Sequence, residues 1–520
     1  MALREEIKKL TEKAVKELYG ELASPQGKVR IDQPENAEFG DYSTNAAMLL
    51  KKNPQEIANV IKSDFLEKIE VKNGFINFFI AKEYLQKQVS EILKQGQSFG
   101  KLRTGCGQKI NVEFISANPT GPLTLGNGRG GFCGDVLTNI LEKSGYKVTR
   151  EYYLNDRGEQ IIKLGHSVLG DEEAVYKGKY IEELKRDVKK GNNIGEAGSQ
   201  AAKIILEKMI KPAIKKMGIK FDTWFSEKSL YQKSEIKKTS DLLKKKSLVY
   251  ENEGALWFKS TQFGDDKDRV LIKENKEETY FLSDIAYLKN KFDRGFKKLI
   301  FFWGADHYGY VARLKAAAEA LGYRKDQIDI IIMQLVRLMQ GGQEVRMAKR
   351  TGIYVTIDEL IDEVGLDVAR YFFLTRSSDT HLNFDLDLAK EQSEKNPVFY
   401  IQYAYARIHS ILAKFKNQNS KIKITTKNLK LLSHPSELNL IKQLIRLPEI
   451  VGDTAGDYQV QRLPQYAIDL AVAFHQFYRD CKILSEAEGL QKARLGLVLS
   501  TKITLKNTLD LMGISAPERM

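Results

Sequence analysis

Cysteine is scarce in this chain. Of 520 residues only Cys106, Cys133 and Cys481 carry a thiol, and they lie too far apart to form a CxxC pair or a metal-ligand spacing. That excludes a disulfide framework, argues against structural zinc, and fits a reducing, cytoplasmic compartment. Long apolar runs are missing as well: no stretch reaches 18 residues, and the start, Met1-Ala2-Leu3-Arg4-Glu5-Glu6, is charged at once. Neither a membrane span nor a signal peptide is expected. No internal repeat or low-complexity segment is present. What is there is an ordinary globular composition, 42% hydrophobic, on a chain too long for one core, so about three domains are expected.

Lysine and arginine number 82 against 68 acidic residues, a net charge of +14. The excess is uneven: positions 1–100 are balanced, whereas positions 395–520 hold 18 basic and 10 acidic residues. A basic C-terminal quarter suits a face that meets a phosphate backbone, although lysine-rich surfaces also serve solubility.

The richest segment is Ser116-Ala117-Asn118-Pro119-Thr120-Gly121-Pro122-Leu123-Thr124-Leu125-Gly126-Asn127-Gly128-Arg129-Gly130-Gly131. It follows the alternation Ile110, Val112, Phe114, which reads as a buried strand, and runs into an apolar helix-like stretch from Phe132 to Leu141. Strand, glycine-rich turn and helix N-terminus together present free N–H groups and a positive dipole end to a phosphate. The prolines stiffen the approach, and the glycines at 126, 128, 130 and 131 are expected to let a ligand come close to the backbone. The segment is neither GxGxxG nor GxxxxGK[ST], which removes the dinucleotide and P-loop readings.

Strands and helices alternate from 106 to about 385, for example Lys147 to Leu154, Glu159 to Leu169, Lys298 to Trp303, Val311 to Leu321 and Ile328 to Leu335. The rhythm predicts a parallel, Rossmann-like α/β sheet with right-handed crossovers. Gly170 to Gly198 is polar and reads as an inserted surface excursion. Residues 1 to about 105 read as an α+β unit. Residues 386 to 520 read as helices only: Asp387–Gln392, Pro397–Phe415, Ser436–Gly452, Pro464–Ser485 and Leu490–Met512, with a basic loop from Asn417 to Lys430.

The glycine-rich segment resembles the first signature of class I aminoacyl-tRNA synthetases, in the form carried by arginyl-tRNA synthetases. Thr124-Leu125-Gly126-Asn127 stands for the usual His-x-Gly-His. Arg346-Met347-Ala348-Lys349-Arg350-Thr351-Gly352 resembles the second signature, KMSKS. The resemblance implies that Pro119, Gly121, Thr124, Gly126, Asn127, Met347 and Lys349 hold ATP, with Lys349, Thr124 and Asn127 catalytic. Lys349 would meet the departing pyrophosphate, where a mobile point charge suits a charge that develops in the transition state.

Trp303-Gly304-Ala305-Asp306-His307-Tyr308-Gly309-Tyr310 resembles the family's segment beside the adenosine and adds Gly304, Asp306 and His307 to the ATP site. Phe39-Gly40-Asp41-Tyr42 and the strand Gly74 to Ile80 resemble the N-terminal domain of arginyl synthetases, in which Phe75 and Asn77 match positions that hold a base of tRNA. Without the family, Phe75 reads as core and Asn77 as an edge cap. The helical part resembles the anticodon-binding domain.

A planar guanidinium with five donors is best met by carboxylates. Glu113, Tyr280 and Asp284 match the positions that surround the arginine side chain, and Asn118 the one that holds its backbone end. Read alone, Asp284 is most simply the N-cap of a helix from Ile285 to Phe292, and Glu113 could pair with any nearby lysine. The resemblance implies a monomeric ligase that joins L-arginine to tRNA(Arg) through an adenylate, with ATP and Mg²⁺ as the substrate complex. The departures in both signature loops leave a second reading, a paralogue that binds tRNA without charging it.

Overall fold

The structure is a computed structural model that describes residues 2–20, 29–189, 191, 193–345, 356–416, 424–484 and 487–520. Arg346, Met347, Ala348 and Lys349 therefore lie outside the described residues, as do residues 417–423 of the basic loop.

At the centre is a five-stranded, all-parallel sheet of β1 (Lys109–Glu113), β2 (Lys147–Leu154), β3 (Thr223–Ser226), β4 (Lys298–Gly304) and β5 (Ile328–Met333), in the order β5-β4-β1-β2-β3. Strand order reverses beside β1, so β1 and β4 part at their carboxyl ends and leave a crevice between them. The expected Rossmann-like sheet is present, and the strand from Ile328 stops at Met333, two residues short of the predicted Leu335.

β1 leads into α1 (Leu125–Lys143), a helix buried along most of its length, with Arg129, Asp135 and Thr138 among its buried side chains. Its glycines explain how it fits. A Cβ on Gly128 would stand 2.5 Å from Ile357, one on Gly131 2.7 Å from Met217, and one on Gly134 2.4 Å from the Phe114 ring. The expectation that the glycines of this loop serve ligand approach is thus corrected. Gly128, Gly130 and Gly131 are buried and only Gly126 is exposed; Gly128 and Gly131 let the helix seat close to its neighbours, whereas a Cβ on Gly130 would meet no atom within 4 Å.

α2 (Glu159–Leu169), α3 (Lys179–Asp187) and α4 (Ile194–Ile205) follow β2, and α5 (Tyr280–Asp293) and α6 (Val311–Leu321) flank β4. The excursion predicted over 170–198 is not a bare loop: it holds α3 and the first turns of α4, and its Tyr176 and Tyr180 reach the central crevice.

The N-terminal sheet has the strand Phe75–Ile80 between Tyr42–Thr44 and Leu66–Lys72. Among the described residues after α7 (Leu366–Leu374), the regular elements are helices apart from the strand Leu382–Asp385, and the last of them is α8 (Glu488–Met512). The single helix expected over Ser436–Gly452 is two, Pro435–Leu444 and Leu447–Asp457. Pro448 has no N–H to donate and ends the first of them.

The two ends of the chain are tied together. Glu449 accepts from the Arg4 backbone N–H and the Tyr42 hydroxyl, both at 2.9 Å, and Gln86 donates to the carbonyls of Lys430 and Leu432. Buried Arg370, on α7, donates to Asp135 of α1 (2.9 Å) and to the Met512 carbonyl at the end of α8 (3.0 Å).

Candidate active site

A cavity of about 880 Å³ fills the crevice between β1 and β4. It is lined by Glu113, Asn118, Gly121, Thr124, Asn127, Tyr280, Asp284, Gly304, Asp306 and His307, so ten of the residues singled out from sequence converge there. Pro119 and Gly126 belong to the same loop but do not line it. Phe75 and Asn77 do not line it either; they belong to the N-terminal sheet. There Phe75 is 37% exposed while Asn77 sits at 2% within the central strand, so neither the core reading of Phe75 nor the edge reading of Asn77 holds.

Beyond Glu113 the backbone turns sharply. Ile115 and Ser116 both take positive φ, 65° and 37°, an uncommon choice for any non-glycine residue and costly for a β-branched one. The turn is held by Ser116 Oγ accepting from the Tyr153 N–H (3.0 Å) and by the Tyr152 hydroxyl donating to the Ala117 carbonyl (2.8 Å). It swings the loop over the crevice and brings Asn118 into its wall.

Thr124 is the N-cap of α1. Asn127 Oδ1 accepts from the Thr124 backbone N–H (2.9 Å) and from its hydroxyl (2.9 Å), while Thr124 Oγ1 receives the Asn127 N–H (3.4 Å). The pair forms a capping box that fixes the helix N-terminus at the cavity. Thr124 also bridges Thr356, the first described residue after the segment that carries Lys349, and Thr356 lines the cavity too.

The acidic side is built on one face of α5. Helix α5 starts at Tyr280 with Thr279 at its cap position, so the reading of Asp284 as an N-cap is overturned: it lies in the second turn and faces the cavity. Asp284 accepts from the Tyr310 hydroxyl. Burial, reinforced by the Glu113 charge against the help of that hydroxyl and of Arg313, pushes the Asp284 carboxyl up to about 7. Burial and the neighbouring Asp284 charge likewise push Glu227 up to about 7. Tyr280 is half exposed at the mouth, where its hydroxyl accepts from the Glu159 N–H (3.1 Å).

Farther along the same face lies a network the sequence reading did not find. The Lys291 ammonium, with no exposure, meets Asn111 Oδ1 at 2.5 Å, Glu113 Oε2 at 2.7 Å and Glu151 Oε1 at 3.2 Å. The Tyr287 hydroxyl lies against both Glu113 Oε2 (2.8 Å) and Glu151 Oε1. Arg294 clasps Glu151 with both terminal nitrogens. Burial opposes the charge on Glu151, yet Lys291 and Arg294 hold its carboxyl down at about 2. The positions 280, 284, 287 and 291 repeat at helical spacing, and extending the Tyr280/Asp284 pair by two turns was the available signal.

The opposite side is open. Asp306 and His307 are exposed, 3.5 Å apart, and His307 stands beside the Trp303 ring. Among the described residues no group of histidine, cysteine and acidic side chains could hold a metal ion, and no helix is long and apolar enough to cross a membrane. A separate aromatic cluster lies on the helical part. There the Arg407 guanidinium stands 4.9 Å from each of the Tyr403 and Tyr478 rings, and both rings are exposed.

Three family models match in succession: the arginyl tRNA synthetase N-terminal domain over 2–80, the class I (R) tRNA synthetase catalytic domain over 88–385, and the DALR anticodon binding domain over 401–520. A protein of Carboxydothermus hydrogenoformans named arginine–tRNA ligase is 45% identical over 523 residues, with 94% of each chain covered. One of the same name from Caldanaerobacter subterraneus subsp. tengcongensis is 44% identical, with 99% of each chain covered. The solved Thermus thermophilus arginyl-tRNA synthetase superposes with a TM-score of 0.79 over 100% of both chains at 21% identity, a likeness of fold.

Proposed function

Since the chain belongs to the arginyl-tRNA synthetases, ATP-dependent ligases of class I, we propose a division of labour among its residues for activating L-arginine and passing it to tRNA(Arg). Arginine lies along the α5 side. Asp284 and Glu113 meet the guanidinium, Tyr280 closes over it, and Asn118 holds the backbone end. ATP, as its Mg²⁺ complex, lies across the N-terminus of α1 with Gly121, Thr124 and Asn127 on one side and Gly304, Asp306 and His307 on the other. Met347 and Lys349 complete the nucleotide side. The observation that carries this reading is the convergence of a carboxylate pair and a capped helix N-terminus on one cavity at the sheet's switch point.

The reaction needs no protein nucleophile. The arginine carboxylate is ionised at neutral pH and attacks the α-phosphate, so the site acts by aligning the groups and neutralising charge as pyrophosphate leaves. The 2′-hydroxyl of the terminal adenosine then takes the arginyl group. Exposed Phe75 offers a stacking face for a tRNA base, with Asn77 beside it on the same strand, and the Tyr403–Arg407–Tyr478 cluster offers another on the anticodon side. The working form in this reading is a cytoplasmic monomer.

The test is pyrophosphate exchange into ATP with arginine, with and without tRNA(Arg). Exchange that requires tRNA supports a working, tRNA-dependent ligase. No exchange in either case, with tRNA still bound, would leave a binding protein on a synthetase frame. Lys349→Ala is expected to slow adenylate formation by about 10²–10³-fold while sparing arginine binding, as loss of one charge-stabilising group does elsewhere.

A further inference from the structure

A pocket for a cation contains, unexpectedly, a buried cation of its own. Lys291 has three ammonium protons and three acceptors within reach, Asn111 Oδ1, Glu113 Oε2 and Glu151 Oε1, and it stands over the Tyr287 and Phe301 rings at 4.6 and 4.7 Å. A buried ammonium so matched is fixed in place, because losing any one acceptor would leave charge unpaired in a dry site. The Lys291 ammonium and the single Tyr287 hydroxyl proton, which is shared with Glu151 Oε1, both fall on Oε2 of Glu113. Among the described residues Oε1 accepts none, while Glu113 itself lines the cavity.

We propose that Lys291, together with Tyr287, is a positioning device for specificity: by occupying Oε2 of Glu113 it leaves a single carboxylate oxygen for the substrate and makes the pocket select a guanidinium over an ammonium.

The two cations differ in how they use acceptors. An ammonium is a compact, strongly hydrated point charge that requires several acceptors around one nitrogen. With Oε2 taken, and with the Lys291 ammonium 2.7 Å from that oxygen, a second ammonium at Glu113 finds one acceptor and a like charge close by. A guanidinium spreads its charge over a plane and carries donors on separate nitrogens, so it can give one to Oε1 of Glu113 and others to Asp284 on the same helix face. The ion pairs also leave the inner wall close to neutral, Glu113 and Glu151 against Lys291 and Arg294, so Asp284 is the carboxylate without a cation bonded to it. Selection then depends on the number and direction of donors rather than on net charge.

The inference rests on the arginine pocket described above, and the test separates the two. Pyrophosphate exchange is run with tRNA(Arg) on the full chain, with arginine and with homolysine, whose terminal amine reaches as far as the guanidinium. Wild type is expected to use arginine and to reject homolysine. If it fails to use arginine, the pocket assignment falls and this inference with it. Lys291→Gln is expected to reduce arginine-over-homolysine discrimination in kcat/KM at least tenfold. Tyr287→Phe, which removes only a neutral donor from the same oxygen, should reduce it two- to fourfold and guards against failure of the first variant to fold. If discrimination is unchanged in Tyr287→Phe and in any folded Lys291→Gln protein, or if both substrates lose activity in proportion, Lys291 merely supports the wall and the inference is overturned, while the pocket assignment stands.

Discussion

The two sides of the cleft are built in opposite ways. On the α5 side, Glu113, Glu151, Tyr287, Lys291 and Arg294 are locked in a buried network before any ligand arrives. On the nucleotide side, Asp306 and His307 stand exposed, and Thr124 and Asn127 mostly satisfy each other. The difference follows the chemistry. Telling one amino acid from others requires rigid, desolvated partners whose unpaired state is costly. Holding a triphosphate that must lose its pyrophosphate calls for backbone dipoles and charges that act as the reaction proceeds.

The largest expected break in this contrast is Asp284→Asn. It should raise the arginine KM by about 100-fold or more, the scale of losing one member of a desolvated charge pair, and leave the ATP KM nearly unchanged. Equal losses for both substrates would mean that the sides are not independent.

The same carboxyl gives a pH signature. Its value in the fold is about 7 against an ordinary 3.8, so it is largely protonated at pH 6 and ionised at pH 8. If the guanidinium needs the carboxylate, kcat/KM for arginine should rise about tenfold per unit below pH 7 and level off above it, and Asp284→Asn should be flat. Stability moves the other way. A raised carboxyl favours the fold most below pH 3.8, and that contribution is lost as pH rises toward 7. Thermal unfolding of wild type and Asp284→Asn at pH 5 and pH 8 checks the sign: the variant should gain relative stability at pH 8.

A smaller effect sharpens the other side. Asn127→Ala removes one half of the capping box and should cost about 1 kcal/mol of stability, raise the ATP KM, and leave arginine discrimination intact. The smallest is Gly126→Ala, where the added methyl makes only an ordinary van der Waals contact with Thr124 Oγ1 at 3.7 Å, so Tm should hold within about 2 °C. Gly128→Ala, by contrast, forces a Cβ against Ile357 at 2.5 Å and should cost about 1–3 kcal/mol.

Legibility in the sequence followed the same divide. The sheet, α1 and the C-terminal helices carry periodic apolar patterns and were readable, as were the loop residues whose motif is local. Lys291 was not, because a lysine on a helix gives no sign that Asn111, Glu113 and Glu151, about 140 to 180 residues earlier, will converge on it. Tyr176 and Tyr180 were missed for the opposite reason: their polar, charged surroundings look like surface, yet tertiary packing turns them toward the cavity. The glycines of α1 stand out in the sequence, but nothing local to them shows that Gly128, Gly131 and Gly134 serve helix packing, because the atoms they meet come from distant parts of the chain or from residues just after the preceding strand.

The ties between the two ends of the chain bear on its birth at the ribosome. Tyr42 must wait for Glu449, 407 residues later, and Gln86 for the carbonyls of Lys430 and Leu432. At about 5–20 residues per second that interval is on the order of tens of seconds, during which the N-terminal sheet is made but its docking face is bare. Asp135 of α1 waits 235 residues for Arg370, which in turn waits 142 more for the Met512 carbonyl. Each nascent chain therefore shows an undocked N-terminal sheet to chaperones and proteases until its own C-terminal helices have been made.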